Sequence, residues 1–220
     1  ETLALLKERG SRLVLGLRDV MDDPDQLAPE WERKKAMPAL RDIYDEIWVY
    51  GLPQICDPLE GLSTPPSVRR KMVYTGYLRR EASPWSAALE APSLAEGSFV
   101  LVTPGGGGDG EALVDWVLNA YETQPGMDMQ ALIVFGPFMT NERQREFRDR
   151  AAALEHVDSI TFDANMESLI AEAEGVVAMG GYNTFCEILS FDKRAVIMPR
   201  TRPRMEQHIR ASRASALGLV

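Results

Sequence analysis

The chain has 220 residues, which fits one large or two small domains and can bury roughly 70% of the surface of the unfolded chain. Hydrophobic residues make up 45% and charged residues 26%, which excludes a disordered protein, and the short apolar runs predict no transmembrane segment. The net charge of −9 argues against a nucleic-acid partner bound by a broad basic face. Two cysteines and two distant histidines predict neither a disulfide framework nor a metal site, and the cysteine usage favours the cytoplasm.

The first 78 residues predict the second half of an α/β domain. The predicted elements are a helix at residues 2–9 and strands at residues 13–17, 47–50 and 73–77. The chain opens inside a helical pattern without an initial strand, so we expect the first half of this domain to be missing. Residues 79–97 are rich in Ala, Ser, Pro and Glu and predict an interdomain linker.

From residue 98 onward, strands alternate with helices. The predicted strands are residues 99–103, 131–135, 157–162, 176–179 and 195–198, and the predicted helices are residues 111–121, 141–154, 166–173, 182–189 and a final helix from about residue 205. Five strands that are each followed by a helix predict a parallel sheet covered on both faces. Residues 98–220 are therefore expected to form a Rossmann-like C-terminal domain.

Two candidate sites lie in the first domain. Asp19 directly follows a predicted strand, so it would lie at the ligand-binding edge of a parallel sheet and could act as a general base. A surface ion pair with a neighbour is the alternative for Asp19. Asp23 and Asp25 match the D-x-D pattern that holds a divalent cation in some nucleotide-sugar enzymes, but their position before a helix favours capping or a solvated loop.

Four consecutive glycines, Gly105 to Gly108, separate a predicted strand from a helix. Such a run forfeits chain entropy and indicates a close approach of the backbone to an anion at a helix start, with a tight turn as the alternative. Gly105, Gly107 and Gly110 also satisfy the dinucleotide fingerprint. The acidic residue that this fingerprint requires after the next strand is missing, which disfavours a nicotinamide enzyme.

A second glycine pair, Gly180 and Gly181, opens another predicted helix. Thr184 and Glu187 have the spacing of a capping box. The alternative is that the Glu187 carboxylate accepts hydrogen bonds from a ribose diol, in a position that the helix dipole favours.

Residues 200–220 carry five arginines and one acidic residue, which inverts the charge of the rest of this half. The arginine fork matches oxyanions, so the excess indicates a small anion such as phosphate, with a solvated loop as the alternative. Glu206 and Gln207, at the start of the final helix, could bind sugar hydroxyls.

Four motifs together carry a resemblance: residues 106–110, 162–166, 180–187 and 204–207. They resemble the donor domain of GT-B glycosyltransferases, most of all family 28, the family of the peptidoglycan N-acetylglucosaminyltransferase. Residues 13–78 resemble an uncharacterised bacterial branch of predicted glycosyltransferases. The resemblance implies an α/β GT-B-like fold, but the sequence has no counterpart of the family's glycine-rich acceptor loop.

The resemblance also implies a set of donor-binding residues. Gly106 and Gly107 would approach the donor diphosphate, and Gly108 stands where many members have serine. The implied donor-binding residues are Gly106, Gly107, Gly108, Asp163, Met166, Gly180, Gly181, Asn183, Thr184, Glu187, Arg204, Glu206 and Gln207. Asp163 and Met166 would edge the base pocket, and Glu187 would bind the ribose.

The expected function is the transfer of a hexose, such as N-acetylglucosamine, from a uridine diphosphate sugar to a hydroxyl acceptor, without a metal or a further cofactor. The alternatives are a nucleotide-sugar hydrolase or 2-epimerase on the same fold, or a non-catalytic nucleotide-sugar binding module. The expected partners are the nucleotide sugar and an unidentified acceptor, with lipid-linked and glycan-linked acceptors both open. A lipid-linked acceptor would bring this cytoplasmic protein to the surface of the inner membrane.

Overall fold

The structure is a computed structural model that describes residues 2–82, 98–124 and 126–220. The chain divides into two compact units. Unit 1 comprises Glu1–Leu78 with Arg200–Gly218, and unit 2 comprises Arg79–Pro199 with Leu219–Val220. Each unit contains a parallel sheet of its own.

Unit 1 is built on a three-stranded sheet. Its elements before residue 79 are α1 (Thr2–Glu8), β1 (Val14–Arg18), α2 (Pro24–Arg33), α3 (Ala36–Asp42), β2 (Glu46–Tyr50), α4 (Pro66–Arg69) and β3 (Met72–Tyr74). The strands are parallel in the order β1-β2-β3, with Leu17 opposite Val49. Buried Ile47 and Val49 alternate with the more exposed Trp48 along β2, which is the pattern of a strand with one packed face.

Unit 2 is an alternation of strands and helices. Its elements are β4 (Phe99–Thr103), α5 (Glu111–Thr123), β5 (Gln130–Val134), α6 (Asn141–Ala152), β6 (Val157–Ile160), α7 (Met166–Glu172), β7 (Gly175–Ala178), α8 (Tyr182–Ser190) and β8 (Arg194–Ile197). All five strands are parallel, in the order β6-β5-β4-β7-β8. The predicted α/β class and the parallel Rossmann-like sheet are therefore confirmed.

The core of unit 2 lies on both faces of this sheet. Val102 and Ile133 pack into one cluster with residues of α5 and α6, while Leu101 and Leu132 pack into a second cluster with residues of α7 and α8. The two central strands are apolar at successive positions because helices cover both of their faces.

The strand order reverses beside β4. The chain places β5 and β6 on one side of β4, then crosses to place β7 and β8 on the other side. The loops after β4 and β7 are consequently neighbours at the carboxyl edge of the sheet. This position is the topological switch point, where open α/β sheets bind ligands.

The last helix, α9 (Glu206–Ala216), groups with unit 1. We expected residues 98–220 to form one domain, but residues 200–218 pack with the first unit because Arg210 is buried against Asp19. Of the predicted linker, residues 79–82 are described, and Arg80 donates its amide to Ser190 Oγ at 2.8 Å. Residues 83–97 lie outside the described part of the chain. None of the helices described here has the length and apolar character needed to cross a bilayer.

Candidate functional site

The glycine loop after β4 packs against the loop after β5, backbone against backbone. Gly107 has a φ of +86°, and a Cβ atom at this position would lie 2.3 Å from the carbonyl oxygen of Phe135. Gly136 has a φ of +88°, and its Cβ atom would lie 2.4 Å from the carbonyl oxygen of Gly105. Phe138 donates its amide to the carbonyl oxygen of Gly106 at 2.9 Å. Glycine is therefore required at 107 and 136 by the packing of the two loops.

The rest of the glycine run is open to a ligand. Gly105, Gly106 and Gly108 are exposed. Within the described ranges, the amides of Gly106, Gly107 and Gly108 donate no hydrogen bond. The loop leads directly into α5, whose N-cap, Gly110, supplies no side-chain acceptor. Unpaired amides in a loop that leads into a thirteen-residue helix form a favourable site for an anion.

The glycine pair after β7 lies at the switch point beside this loop. Gly180 has a φ of +75°, and a Cβ atom there would lie 2.7 Å from Cγ2 of Ile197. Gly181 is the N-cap of α8 and offers no side-chain cap. Thr184 is the third residue of α8 and not its cap, so the proposed capping box of Thr184 and Glu187 is wrong.

Glu187 is a half-buried carboxylate on the second turn of α8. Among the residues that the structure describes, no group donates a hydrogen bond to this carboxylate. Burial raises the pKa of Glu187, the charge of Glu167 raises it further, and Arg80 opposes both effects. Glu187 thus presents acceptor oxygens that the described protein groups do not use, as a ribose-binding carboxylate requires. Asn183, on the first turn of the same helix, is exposed.

The acidic residue in the loop after β6, Asp163, forms a hydrogen bond within that loop. Asp163 Oδ1 accepts a hydrogen bond from the amide of Asn165 at 2.6 Å, so this carboxylate shapes the turn into α7. Met166 is half-buried against the core of unit 2. The contact of Asp163 with the base stays a prediction.

Two exposed aromatic side chains follow neighbouring strands of the unit 2 sheet, and the sequence predicted no role for either. Phe138, after β5, is 76% exposed, and Phe162, after β6, is 58% exposed. A Cβ atom on Gly106 would lie 3.0 Å from Cδ2 of Phe138, so this ring lies beside the glycine backbone. An aromatic residue inside a Gly-Pro loop that follows a buried strand was the available signal, because such a loop keeps the ring out of the core.

In unit 1, Asp19 is fully buried and fully engaged. Arg210 donates to both of its carboxylate oxygens, at 2.9 and 2.8 Å, and Tyr77 Oη donates at 2.6 Å. The amide of Val20 is a fourth donor at 2.8 Å. Burial alone would lower the pKa of Arg210, but the hydrogen bonds and charge of Asp19 outweigh it and the pKa is raised. These bonds give Asp19 a structural role as half of a buried ion pair, and its role as a general base stays a prediction.

Arg204 is also engaged inside unit 1. Its guanidinium donates to Asp22 at 3.3 Å and to Glu30 at 2.8 Å. Asp22 additionally accepts the amide of Met205 at 2.8 Å. The predicted contact of Arg204 with the donor does not fit this geometry, since two carboxylates already neutralise its charge. The arginine fixes the loop before α9 instead.

The start of α9 contains one unsatisfied oxygen. Glu206 Oε1 accepts a hydrogen bond from Arg200 at 2.7 Å, and Gln207 Oε1 accepts the amide of Arg200 at 3.0 Å. Glu206 Oε2 is buried and has no partner among the described residues. Buried oxygens are nearly always hydrogen-bonded, so this atom marks a position that a ligand hydroxyl could complete.

The D-x-D pattern has a local explanation. Asp23 is the N-cap of α2, and its side chain accepts the amide of Asp25 at 3.0 Å. The capping alternative is therefore confirmed over a cation site at this position. Across residues 2–82, 98–124 and 126–220, no group of three or more His, Cys, Asp or Glu side chains is placed to hold a metal ion.

The predicted residues thus form two sets. Gly106, Gly107 and Gly108 share the carboxyl edge of the unit 2 sheet with the start of α8. Asp163 and Met166 occupy the loop after β6 at the same edge. Arg204, Glu206 and Gln207 belong to unit 1.

Comparisons with known proteins give one family and many structures. Residues 99–215 match the family described as "Glycosyltransferase family 28 C-terminal domain". No curated protein matches the chain. Among solved structures, the glycotransferase of kitacinnamycin has a TM-score of 0.65 at 14% identity, over 99% of this chain and 59% of that one.

Two further structures show the same likeness. MurG of Acinetobacter baumannii has a TM-score of 0.58 at 15% identity, over 98% of this chain and 54% of that one. UGT2 of Phytolacca americana, complexed with UDP-2fluoro-glucose and pterostilbene, has a TM-score of 0.56 at 12% identity, over 98% of this chain and 58% of that one. These likenesses show a GT-B glycosyltransferase fold. The chain spans only between 54% and 59% of the length of these three structures.

Proposed function

The chain belongs to glycosyltransferase family 28 through its C-terminal domain, and on this premise we propose that it transfers a hexosyl group from a nucleotide diphosphate sugar to a hydroxyl acceptor. One observation carries the proposal: unpaired amides of Gly106, Gly107 and Gly108 lie in the loop that leads into α5, at the switch point of a parallel sheet. The same edge carries the glycine pair that opens α8. Two adjacent helix starts supply the positive potential that a diphosphate needs.

The leaving group is stabilised by the backbone. When the glycosidic bond to the diphosphate breaks, negative charge grows on the phosphate oxygens. Fixed amides of the glycine loop and of α8 stabilise this charge because they need no reorganisation during the reaction. We therefore propose that the transfer proceeds without a metal ion.

The nucleoside is held by unit 2. The Glu187 carboxylate accepts hydrogen bonds from the two ribose hydroxyls, which suits its lack of a protein donor among the described groups and its raised pKa. The loop after β6, from Phe162 to Met166, borders the base. We propose uracil as the base and a hexose such as N-acetylglucosamine as the sugar. UDP-2fluoro-glucose in the Phytolacca americana structure supports a uridine donor.

Two residues at the start of α9, in unit 1, are further predicted donor-binding residues. Glu206 Oε2 lacks a partner among the described groups and can accept a hydrogen bond from a sugar hydroxyl. Gln207 is buried, and its Oε1 is held by the amide of Arg200. The amide nitrogen of Gln207 is the donor that remains for the sugar or its phosphates.

A titration with uridine diphosphate tests the donor site. We expect calorimetry to show binding of uridine diphosphate to the chain, stronger than binding of uridine or uridine monophosphate, because the second phosphate adds contacts with helix-start amides. Thymidine and guanosine diphosphates test the base. At 100 times its dissociation constant, the nucleotide should add about 2.7 kcal/mol of stability.

The variant Glu187→Gln tests the ribose contact. Hydrogen bonds to a charged group contribute about 1.5–3 kcal/mol, so we expect affinity for uridine diphosphate to fall by at least tenfold. Glu172→Gln, at an exposed carboxylate at the end of α7 in the same unit, is the matched control and should bind like the unmodified protein. Equal affinities of both variants would contradict the ribose assignment.

A non-catalytic binding module is the second candidate. The observation that favours it is that both carboxylate oxygens of Asp19, the predicted general base, already accept hydrogen bonds from Arg210 and Tyr77. Incubation with uridine diphosphate sugars distinguishes the candidates. Transfer to an added hydroxyl supports the transferase, free sugar or an epimer from donor alone supports a hydrolase or epimerase, and binding without any turnover supports the module.

A further inference from the structure

We propose that Phe138 is a further residue of the donor site, whose exposed ring covers the diphosphate on the glycine loop and keeps water away from it. The inference rests on the proposed function and deepens it, because it concerns the same anion site at the end of β4. All of the residues that carry it belong to unit 2. The donor-binding residues that the family resemblance implies do not include Phe138.

The backbone of Phe138 is fixed beside the glycine loop. Its amide donates a hydrogen bond to the carbonyl oxygen of Gly106 at 2.9 Å. Before it in the chain, Gly136 packs against the backbone of Gly105. After it, Met139 is buried in the core of unit 2, and its carbonyl oxygen accepts a hydrogen bond from a side chain of α6 at 2.8 Å. The short segment that carries the ring is therefore held on both sides.

The ring of Phe138 contributes little to the packing of unit 2. It is 76% exposed, the highest value among the large apolar side chains that the structure describes. The adjacent Met139 supplies the core contact of this loop instead. Burial in the protein is what stabilises an apolar side chain, and this ring has hardly any of it. A ring held outward on a fixed loop is consequently available to a ligand.

The ring lies against the backbone that we assign to the diphosphate. A Cβ atom on Gly106 would lie 3.0 Å from Cδ2 and 3.5 Å from Cε2 of Phe138. A Cβ atom on Gly108 would lie 3.6 Å from Cβ of Phe138. The amides of Gly106, Gly107 and Gly108 donate no hydrogen bond to any group that the structure describes. An anion bound to these amides therefore comes to lie beside the ring.

A phenyl ring in this position suits a diphosphate for two reasons. The edge of the ring carries partial positive charge, and the edge atoms Cδ2 and Cε2 are the ones that approach Gly106. The ring also displaces water, and charge interactions and hydrogen bonds are stronger where water is excluded. The fixed amides of the loop should therefore hold the diphosphate more tightly beside the ring than in open solvent.

Contact of the ring with another part of the donor would give a different pattern of affinities. A ring that stacked on the base, or packed on the hexose, would act only on ligands that contain those groups. A ring that covers the diphosphate acts on every ligand with two linked phosphates. Uridine, inorganic pyrophosphate, uridine diphosphate and a uridine diphosphate sugar therefore separate the three contacts.

Affinity measurements on Phe138→Ala test the contact. We expect this variant to bind uridine diphosphate and inorganic pyrophosphate more weakly by the same factor, at least about tenfold, because a ligand no longer covers an apolar ring. Binding of uridine should be unchanged. A loss for uridine without a loss for pyrophosphate would place the ring on the nucleoside, and a loss confined to the uridine diphosphate sugar would place it on the hexose. Either result would overturn the proposed cover.

The dependence of affinity on salt tests the exclusion of water. Salt screens exposed charges much more than buried ones. Between about 50 and 500 mM sodium chloride, the affinity of Phe138→Ala for pyrophosphate should fall by a larger factor than that of the unmodified protein. Equal factors for the two proteins would show that the ring does not shield the anion.

Two further variants separate the cover from a general effect on the fold. Phe138→Leu keeps an apolar side chain and should bind pyrophosphate within about threefold of the unmodified protein, whereas a loss as large as in Phe138→Ala would contradict the cover. Met129→Ala is the matched control, at an exposed apolar residue directly before β5, at the other end of the strand that Phe138 follows. It should bind like the unmodified protein. The urea midpoint of Phe138→Ala should also be unchanged, because the ring is exposed; a lowered midpoint would assign the ring to the fold.

The two levels of inference fail differently. If the unmodified protein binds neither uridine diphosphate nor pyrophosphate, the donor site of the proposed function fails, and the role of Phe138 fails with it. If the unmodified protein binds both and Phe138→Ala binds them equally well, only the role of Phe138 fails.

Discussion

Alanine substitutions along the glycine loop should have unequal effects on stability. We expect Gly107→Ala to destabilise the protein by about 2–4 kcal/mol, Gly105→Ala by at most about 1.5 kcal/mol, and Gly108→Ala not at all. The ranking tests whether the loops after β4 and β5 pack as the structure shows.

The magnitudes follow from three contributions. A left-handed backbone costs an L-residue about 1–2 kcal/mol, and replacing glycine restricts the unfolded chain, which returns about 0.4–1 kcal/mol. Gly105 carries only these two effects, because its φ is +78° and nothing lies within 4 Å of its Cβ position. Gly107 adds the 2.3 Å overlap with a backbone oxygen, and overpacking costs about 1–3 kcal/mol. Gly108 has no positive φ, and its nearest neighbour lies at 3.6 Å.

Urea titrations followed by far-ultraviolet circular dichroism measure these differences as shifts of the midpoint. Gly105→Ala is the control for the backbone conformation, and Gly108→Ala is the control for adding a methyl group to the loop. If Gly105→Ala and Gly107→Ala were equally destabilising, the close approach of Gly107 to Phe135 would be refuted.

Three further predictions concern the other residues of the two sites. Glu187→Gln should be more stable than the unmodified protein at pH 7 but not below about pH 4. The pKa of Glu187 is raised in the folded protein, so the unmodified protein loses stability as the pH rises from the pKa of the unfolded state through the pKa of the folded state. Thermal melts across pH measure this difference. Asp19→Asn should lower the free energy of unfolding by about 3–5 kcal/mol, because it leaves the Arg210 charge buried without its partner. Urea titration measures this loss, and a clearly smaller loss would contradict the prediction. Gly108→Ser should change stability by less than about 0.5 kcal/mol and should not weaken binding of uridine diphosphate in calorimetry. A tenfold loss of affinity would show that the loop needs glycine at 108 for the donor.

The strands of unit 2 could be predicted because the local sequence of a buried strand is itself apolar. β4 begins at Phe99 and ends at Thr103, as predicted, since a strand covered on both faces is an unbroken apolar run. β3 was predicted to run to residue 77 but ends at Tyr74. The amide and hydroxyl of Thr75 both bond to the carbonyl oxygen of Val49, and Gly76 then turns the chain with a φ of +73°.

The site could be predicted where it depends on backbone and not where it depends on distant partners. Glycine runs between a strand and a helix located both loops of the switch point. The spacing of Thr184 and Glu187 also fits a capping box, but α8 begins directly after Gly181, as predicted, and Thr184 lies inside it. The buried ion pair of Asp19 could not be predicted because its partner, Arg210, stands 191 positions later in the chain.

The pairing of Asp19 with Arg210 has a consequence for biosynthesis. Unit 1 is discontinuous, since its sheet is made from the first 78 residues and its final helix from residues after 199. A ribosome therefore synthesises the whole sheet of unit 2 before Arg210, the arginine that neutralises Asp19, is added to the chain. Until then, the nascent sheet carries a carboxylate after β1 without its arginine partner, which disfavours the closure of unit 1 until Arg210 has been synthesised.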